Sequence, residues 1–265
     1  MDQPKLTINP NTIRLPLLQV IKECNDSVLF GLRMVNETES LTEPSIEQLS
    51  QEYQEVGVKV VIGEDEKDIK VSKQNFKDWL IKKGFEDIIK GINLSVIESY
   101  FQIKLHNHVG KTYKIDELTE IIQKLKQESL SQSNFPQLIK EMGFEDNQFY
   151  ESIKSINRVR NCLVHRNGFV TKEKDFNDKE NQQLVLEYWS LELVYLDENN
   201  KETEEKENKK LGLLNKQKKI SFKEGEKIKI GIKDFNGCLL TCQFFVEQLS
   251  VQTQKKFNEF HEKKP

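Results

Sequence analysis

The sequence predicts a mainly α protein. It reads as a bundle of four main helices, with an N-terminal α/β arm before it and a β-rich insertion ahead of its last helix. Three observations carry this reading. Apolar residues recur at three- and four-residue spacing along most of the chain. Period-two alternation is confined to a short stretch near 56–62 and to the region 184–232. The 265 residues are 36% hydrophobic and 31% charged, which suits a modest core under a highly charged surface. The expected boundaries are an arm over 1–71 and a bundle over 72–265, with the insertion at 184–232.

The elements follow in order. Ile13 to Asn36 reads as a helix. Pro16 suits its first turn, where a missing N–H costs nothing, and Leu17, Val20, Ile21, Cys24, Val28 and Leu32 supply its buried stripe. Ser45 to Gln54 is a shorter, polar helix. Val56, Val58, Val60 and Ile62 alternate like a strand ended by Gly63, and Glu64 to Asp68 form a turn. Ser72 is the expected N-cap of the next helix. Its apolar face runs from Phe76 and Trp79 to Ile103, and Gly84 marks a point where it can break. Asp116 opens a helix carrying Leu118, Ile121, Ile122 and Leu125.

Beyond the polar run Ser129 to Asn134, Pro136 starts a short helix closed by Gly143. Asp146 is the expected cap of a helix with Phe149, Ile153, Ile156, Arg160 and Leu163 on one stripe, and Gly168 is its natural stop. Leu184 to Leu196 is extended. Asp197 to Lys219, dense in Lys, Glu and Asn, is expected to be a mobile, solvated loop. Ile220 and Phe222 on one side of Glu224-Gly225-Glu226, with Ile228, Ile230 and Ile232 on the other, suggest a hairpin. Asp234 begins a last helix to about Phe260. Trp79 and Trp189 are expected in the core, as are Cys238 and Cys242, one helical turn apart.

Charge and composition narrow the functions. Acidic residues number 43 and basic residues 40, for a net charge of −3. This argues against a protein that coats nucleic acid non-specifically, yet leaves room for a local phosphate site. No stretch approaches the roughly 18 apolar residues of a membrane span, so no membrane partner is expected. No apolar signal-peptide core follows Met1-Asp2-Gln3-Pro4-Lys5. Four cysteines without a C-x-x-C pair do not make a disulfide framework, and a reducing, cytoplasmic setting is expected. His106 and His108 would share a face of a strand and could bind metal there, but no further Cys or His cluster completes a ligand set. A solvated turn, with no metal and no cofactor, is the expectation.

The most informative stretch is Asn157-Arg158-Val159-Arg160-Asn161-Cys162-Leu163-Val164-His165-Arg166-Asn167-Gly168. Three of the five arginines fall within nine residues here, in a chain that otherwise uses lysine, together with one of four histidines. These residue types suit RNA cleavage. A histidine titrates near neutrality and can take the proton of a 2′-hydroxyl. A guanidinium can hold a phosphate through two hydrogen bonds and stabilise the charge that builds on it. An asparagine can orient the imidazole or donate to a phosphate oxygen. On a regular helix Asn161 and His165 stand one above the other, whereas Arg160 and His165 point about 140° apart. Either the helix loosens before Gly168, or a second subunit completes the site. The structural alternative is that Arg160 pairs with a buried acid and His165 merely complements the helix dipole.

Arg160-Asn161-x-x-x-His165 near a helix end resembles the signature of the HEPN superfamily, an Arg followed by four to six residues and a His. Arg158, six residues before His165, fits the same spacing. The resemblance covers the motif and, loosely, the helical pattern of 72–168 and 234–260. It covers neither the first 70 residues nor the insertion. It implies a metal-independent endoribonuclease acting as a homodimer on an RNA substrate, in the manner of toxins or antiviral-defence effectors, with an antitoxin or regulatory partner. Catalysis would fall to Arg160, Asn161 and His165, and substrate binding to Arg158 and Arg166. The other reading is a non-catalytic HEPN-like binding, regulatory or adaptor protein.

Overall fold

The chain enters through a 3-10 turn, Pro10–Arg14, whose N-cap Asn9 accepts the backbone N–H of Asn11 at 3.1 Å. Helix α1 (Leu15–Cys24) and helix α2 (Phe30–Glu37) follow, joined by a π segment, Asn25–Leu29. The buried stripe explains the π turn. Val20, Cys24, Val28 and Leu32 recur every four residues, and four residues overshoot one 3.6-residue turn by about 40°. A wider turn absorbs that drift and keeps the stripe on the core. This computed structural model describes residues 9–37, 69–131, 134–171, 174–197, 202–203 and 210–262. The expected helix at 45–54, strand at 56–62 and turn at 64–68 lie outside the described residues.

Helix α3 (Ile69–His106) is the axis on which the other helices pack. It begins upstream of Ser72, which is therefore not its N-cap, and it passes Gly84 unbroken. The glycine serves proximity instead: a Cβ there would lie 2.4 Å from Cζ of Phe235, a fully buried ring. Among the described residues of α3, burial starts at Leu80. Phe76 and Trp79, just upstream, are 44% and 55% exposed and stack on each other with ring centroids 5.9 Å apart. Trp79 is thus a surface residue and not the core residue expected.

Helix α4 (Ile115–Ser131) lies along α3 with its apolar face half-buried. Helix α5 (Phe135–Met142) has Pro136 in its first turn and ends on Gly143 at φ +70°, as expected. Helix α6 (Tyr150–His165) starts later than expected. Asp146 accepts a hydrogen bond from Gln252 Nε2, and the neighbouring Asn147 Oδ1 takes the backbone N–H of Phe149 at 3.1 Å.

The insertion forms an antiparallel sheet of β1 (Gln183–Leu196), β2 (Glu202–Thr203) and β3 (Lys210–Lys223), in the order β2-β1-β3. Its register runs from Gln183↔Lys223 to Leu196↔Lys210. The charged loop expected over 197–219 is therefore a strand from Lys210 onward. The β-branched and aromatic residues of β1 favour a paired neighbour. The lysines of β3 find acids on β1: Lys219 with Glu187 at 2.7 Å and Lys218 with Glu192 at 2.5 Å. The turn at Glu224–Glu226 forms, with Gly225 at φ +77°, but no hairpin follows it. The chain beyond it bridges Phe169 through Lys227, and Ile228 N–H donates to Gly168 O at 2.8 Å.

Helix α7 (Ile232–Glu262) closes the bundle, burying Phe235, Cys238, Cys242, Phe245 and Leu249 against α3 and the sheet. Asp234 Oδ2 accepts the N–H of Gly231 at its start. Trp189 is half-buried against Phe149, with its backbone N–H on Thr241 Oγ1 at 2.7 Å. Among the described residues the fold is mainly α with one small antiparallel sheet. The described part of the N-terminal region shares the bundle's core through Ile13, Leu17, Val20, Cys24, Val28 and Leu32. No helix among the described residues is long and apolar enough to cross a membrane. All four cysteines are buried free thiols.

Candidate functional site

The site is built on α6. Asn157, Arg160 and Asn161 stand at i, i+3 and i+4 and so share one face of the helix. All three line a cleft of about 550 Å³, walled by α3 through Lys83, Asp87, Lys90 and Asn93 and by the start of α5. Arg160 Nη1 donates to Asn161 Oδ1 at 2.8 Å. This bond orients the guanidinium and engages the asparagine's oxygen, while its amide N–H groups make no hydrogen bond among the described residues. Arg160 Nε and Asn93 Oδ1 are buried and unpartnered among the described residues, a donor and an acceptor in the lining of one cleft. Lys83 pairs with Asp87 at 2.6 Å, and that hydrogen bond raises the lysine's pKa.

Arg160 does not continue the apolar stripe of α6. Val159, Cys162 and Leu163 carry it on, and Arg160 is half-buried at its edge. The helix stays regular from Arg160 to His165 and ends there, so no loosening between them turns the two side chains to one side. Arg166 N–H and Gly168 N–H both converge on Cys162 O, at 3.0 and 3.2 Å, with Asn167 and Gly168 at φ +51° and +79°. His165 is the last helical residue. It is exposed, makes no side-chain hydrogen bond or ion pair among the described residues, and is not in the lining of the Arg160 cleft.

The other two arginines are placed elsewhere. Arg158 Nη1 donates to Phe176 O at 2.6 Å, in a separate hollow with Glu151, Lys154 and Lys219. Arg166 is ion-paired with Asp175, whose side chain is buried and whose second oxygen accepts Thr171 N–H at 2.8 Å and Oγ1 at 3.0 Å. Both expected substrate-binding arginines thus hold the segment that follows α6. Cys162 is part of the core; burial raises its pKa against the opposing charge of Arg166, and its thiol donates to Phe169 O at 3.1 Å. This is an inert core thiol.

His106 is not in a solvated turn. It is the last residue of α3, buried, and its ring stacks on Phe257 and Phe260 at 4.6 and 5.3 Å. His108 shares a hydrogen bond with the Tyr113 hydroxyl at 2.8 Å. No group of three or more His, Cys, Asp or Glu side chains converges to hold a metal ion among the described residues.

A second hollow escaped the sequence reading. A groove of about 830 Å³ lies beside the Arg160 cleft, lined by Trp79, Lys77 and Lys82 of α3, by Leu163, Asn167 and Gly168 at the end of α6, and by the segment Lys227–Asp234. The one signal available was an aromatic pair, Phe76 and Trp79, set among lysines; its helical spacing reads as core. No family model, curated protein or solved structure matches the chain.

Proposed function

We propose that the chain is a metal-independent endoribonuclease of the HEPN type, active as a homodimer. The observation that carries this reading is the Arg160–Asn161 pair, held by a 2.8 Å hydrogen bond in an open cleft, with an exposed His165 one turn further along the same helix. In this reading Arg160 and the Asn161 amide bind the scissile phosphate. His165 takes the proton of the 2′-hydroxyl, O2′ attacks phosphorus, and the bond to the 5′-oxygen breaks. The imidazolium supplies the proton of the leaving 5′-hydroxyl, so the products are a 2′,3′-cyclic phosphate and a free 5′-hydroxyl. Because Arg160 and His165 diverge by about 140° on one regular helix, a second copy, related by a two-fold axis, brings the complementary group to each phosphate.

A non-catalytic binding protein is the second reading. It is favoured by the position of His165 outside the Arg160 cleft and by the structural employment of Arg158 and Arg166. One experiment separates the two. Purified protein, Arg160→Ala and His165→Ala are each incubated with total RNA in EDTA, and chain mass is read by light scattering. The nuclease reading expects cyclic-phosphate ends from the parent alone and a particle of about twice 31.1 kDa for all three. Uncut RNA from a folded parent, with and without added Mg²⁺ or Mn²⁺, supports the binding protein. Cutting that needs Mg²⁺ or Mn²⁺ overturns the mechanism.

A further inference from the structure

The groove beside the Arg160 cleft has a chemistry of its own. Its two acids are already engaged. Asp78 accepts from Gln74 at 2.7 Å and from Lys227 at 2.5 Å, one partner on each oxygen. Asp234 accepts the Tyr188 hydroxyl at 2.6 Å and the N–H of Gly231 at 3.1 Å. Four lysines of the lining, Lys77, Lys82, Lys229 and Lys233, make no hydrogen bond or ion pair among the described residues. Among the described residues of the lining, lysines therefore outnumber acids, on a chain whose net charge is −3. Trp79, 55% exposed and stacked on Phe76, stands in its wall.

The groove and the cleft share no lining residue, but they are lined by neighbouring stretches of the same two helices. Lys82 lines the groove and the next residue, Lys83, lines the Arg160 cleft. On α6, Asn157, Arg160 and Asn161 line the cleft, and Leu163, Asn167 and Gly168 line the groove. The two hollows thus follow one another along the seam of α3 and α6, and the turn after His165 forms part of the groove wall. The bridge Phe169↔Lys227 and the Ile228–Gly168 hydrogen bond hold the lysine-bearing segment 227–233 against that turn.

The geometry points to this groove as a single-stranded RNA channel, in which Trp79 stacks on a base and the four free lysines track the phosphates, delivering the strand to His165. An exposed aromatic platform beside unpaired cations is the arrangement by which proteins hold single strands, because every base has a face to stack and every nucleotide a phosphate. A duplex hides its bases from such a platform. The identity of the strand as RNA rests on the ribonuclease reading; the channel itself rests on the groove.

The test measures binding apart from cleavage. In a His165→Ala background, anisotropy of fluorescein-labelled dodecauridylate and of a hairpin duplex is followed over a salt series. Single strand is expected to bind at least tenfold more tightly than duplex, and Trp79→Ala to weaken it about tenfold, while Trp79→Phe keeps the stack and binds like the parent. Four phosphate contacts imply that affinity falls about fiftyfold between 50 and 200 mM salt, and the pair Lys229→Glu and Lys233→Glu should flatten that slope. Equal binding of duplex and single strand overturns the channel, as does parental binding by Trp79→Ala. Trp79 fluorescence that shifts with protein concentration alone would mark the patch as a contact between copies, and also overturns it. If these variants lose binding while the parent fails to cut RNA, the channel stands and the nuclease reading falls. If the parent cuts RNA and Trp79→Ala binds normally, the reverse holds.

Discussion

Arg160 Nη1 and Asn161 Oδ1, from adjacent residues of α6, meet at 2.8 Å in the lining of an open cleft. Adjacent residues on a helix diverge by about 100°, so the guanidinium bends back to reach its neighbour. In the proposed reaction that bond poises Arg160 for phosphate. Asn161→Ala is expected to lower RNA cleavage about 10²-fold, the usual cost of losing one pre-set donor at a developing charge. Arg160→Lys, which keeps the charge but loses the planar fork, should also fall well below the parent. Both variants should keep the parental circular dichroism and melting point. Parental rates in both would remove the pair from the mechanism.

Arg166 should matter to folding before it matters to RNA. Its partner Asp175 is 1% exposed, and Arg166 itself is 25% exposed. Truncating the arginine strands a buried carboxylate, at a cost of about 3 kcal/mol. Urea denaturation of Arg166→Ala should show that loss, and Asp175→Asn in the same background should restore part of it. An unchanged midpoint in Arg166→Ala would mean the pair is idle.

Gly84→Ala reads the fit between α3 and α7. Alanine is the better helix former by about 1 kcal/mol, yet its Cβ would stand 2.4 Å from the buried Phe235 ring. Overpacking costs about 1–3 kcal/mol, so the thermal midpoint should fall despite the propensity gain. The paired change Gly84→Ala with Phe235→Leu should recover stability relative to Phe235→Leu alone. A raised midpoint in the single variant would show that the ring yields freely.

Alkaline pH should unfold the bundle early. Burial, reinforced by the nearby charge of Asp87, pushes the Cys24 thiol from its ordinary 9.0 up to about 12. Burial and the hydrogen bond to Asp234 likewise raise the Tyr188 hydroxyl. In the folded chain the thiol stays neutral where the unfolded chain would ionise it. Its stabilising contribution is therefore whole below pH 9 and is lost as pH climbs from 9 toward 12. Each such thiol contributes a slope of about 1.4 kcal/mol per pH unit in that window. Denaturant midpoints measured from pH 7 to 11 should be level and then fall, and Cys24→Ser should make the fall shallower. An unchanged midpoint above pH 9 would mean the thiol reaches solvent.

Much of the fold is legible in the sequence because helices announce themselves locally. The stripe Leu17 to Leu32, the stop at Gly143 and the positive-φ exit at Gly168 follow from spacing and from glycine's freedom. The Arg160-Asn161-x-x-x-His165 grouping is legible for the same reason: it lies within two turns of one helix. Other features depend on partners far away in the chain. Lys210 to Lys223 looks like solvated loop until β1 offers it a ladder and acids at Glu187 and Glu192. Gly84 looks like a break until Phe235, some 150 residues on, fills the space it leaves. Trp79 looks like core because helical spacing marks an apolar face without saying where the packing against it ends.

The sequence by itself determined the helical periods, the glycine stops at Gly143 and Gly168, and the grouping of Arg160, Asn161 and His165 on one short stretch of α6, since each depends on residues within a few turns of each other. Only the tertiary structure decided which of the clustered arginines face a cleft and which are tied to the chain. Arg160 opens on the α3 wall, Arg158 bonds the Phe176 carbonyl and Arg166 pairs with a buried Asp175. It also decided that Lys229 and Lys233 stand in one groove with Trp79. The physical reason is that burial and charge pairing are properties of the space around a side chain. That space is furnished by residues from α3, the insertion and α7, at separations that no local pattern encodes.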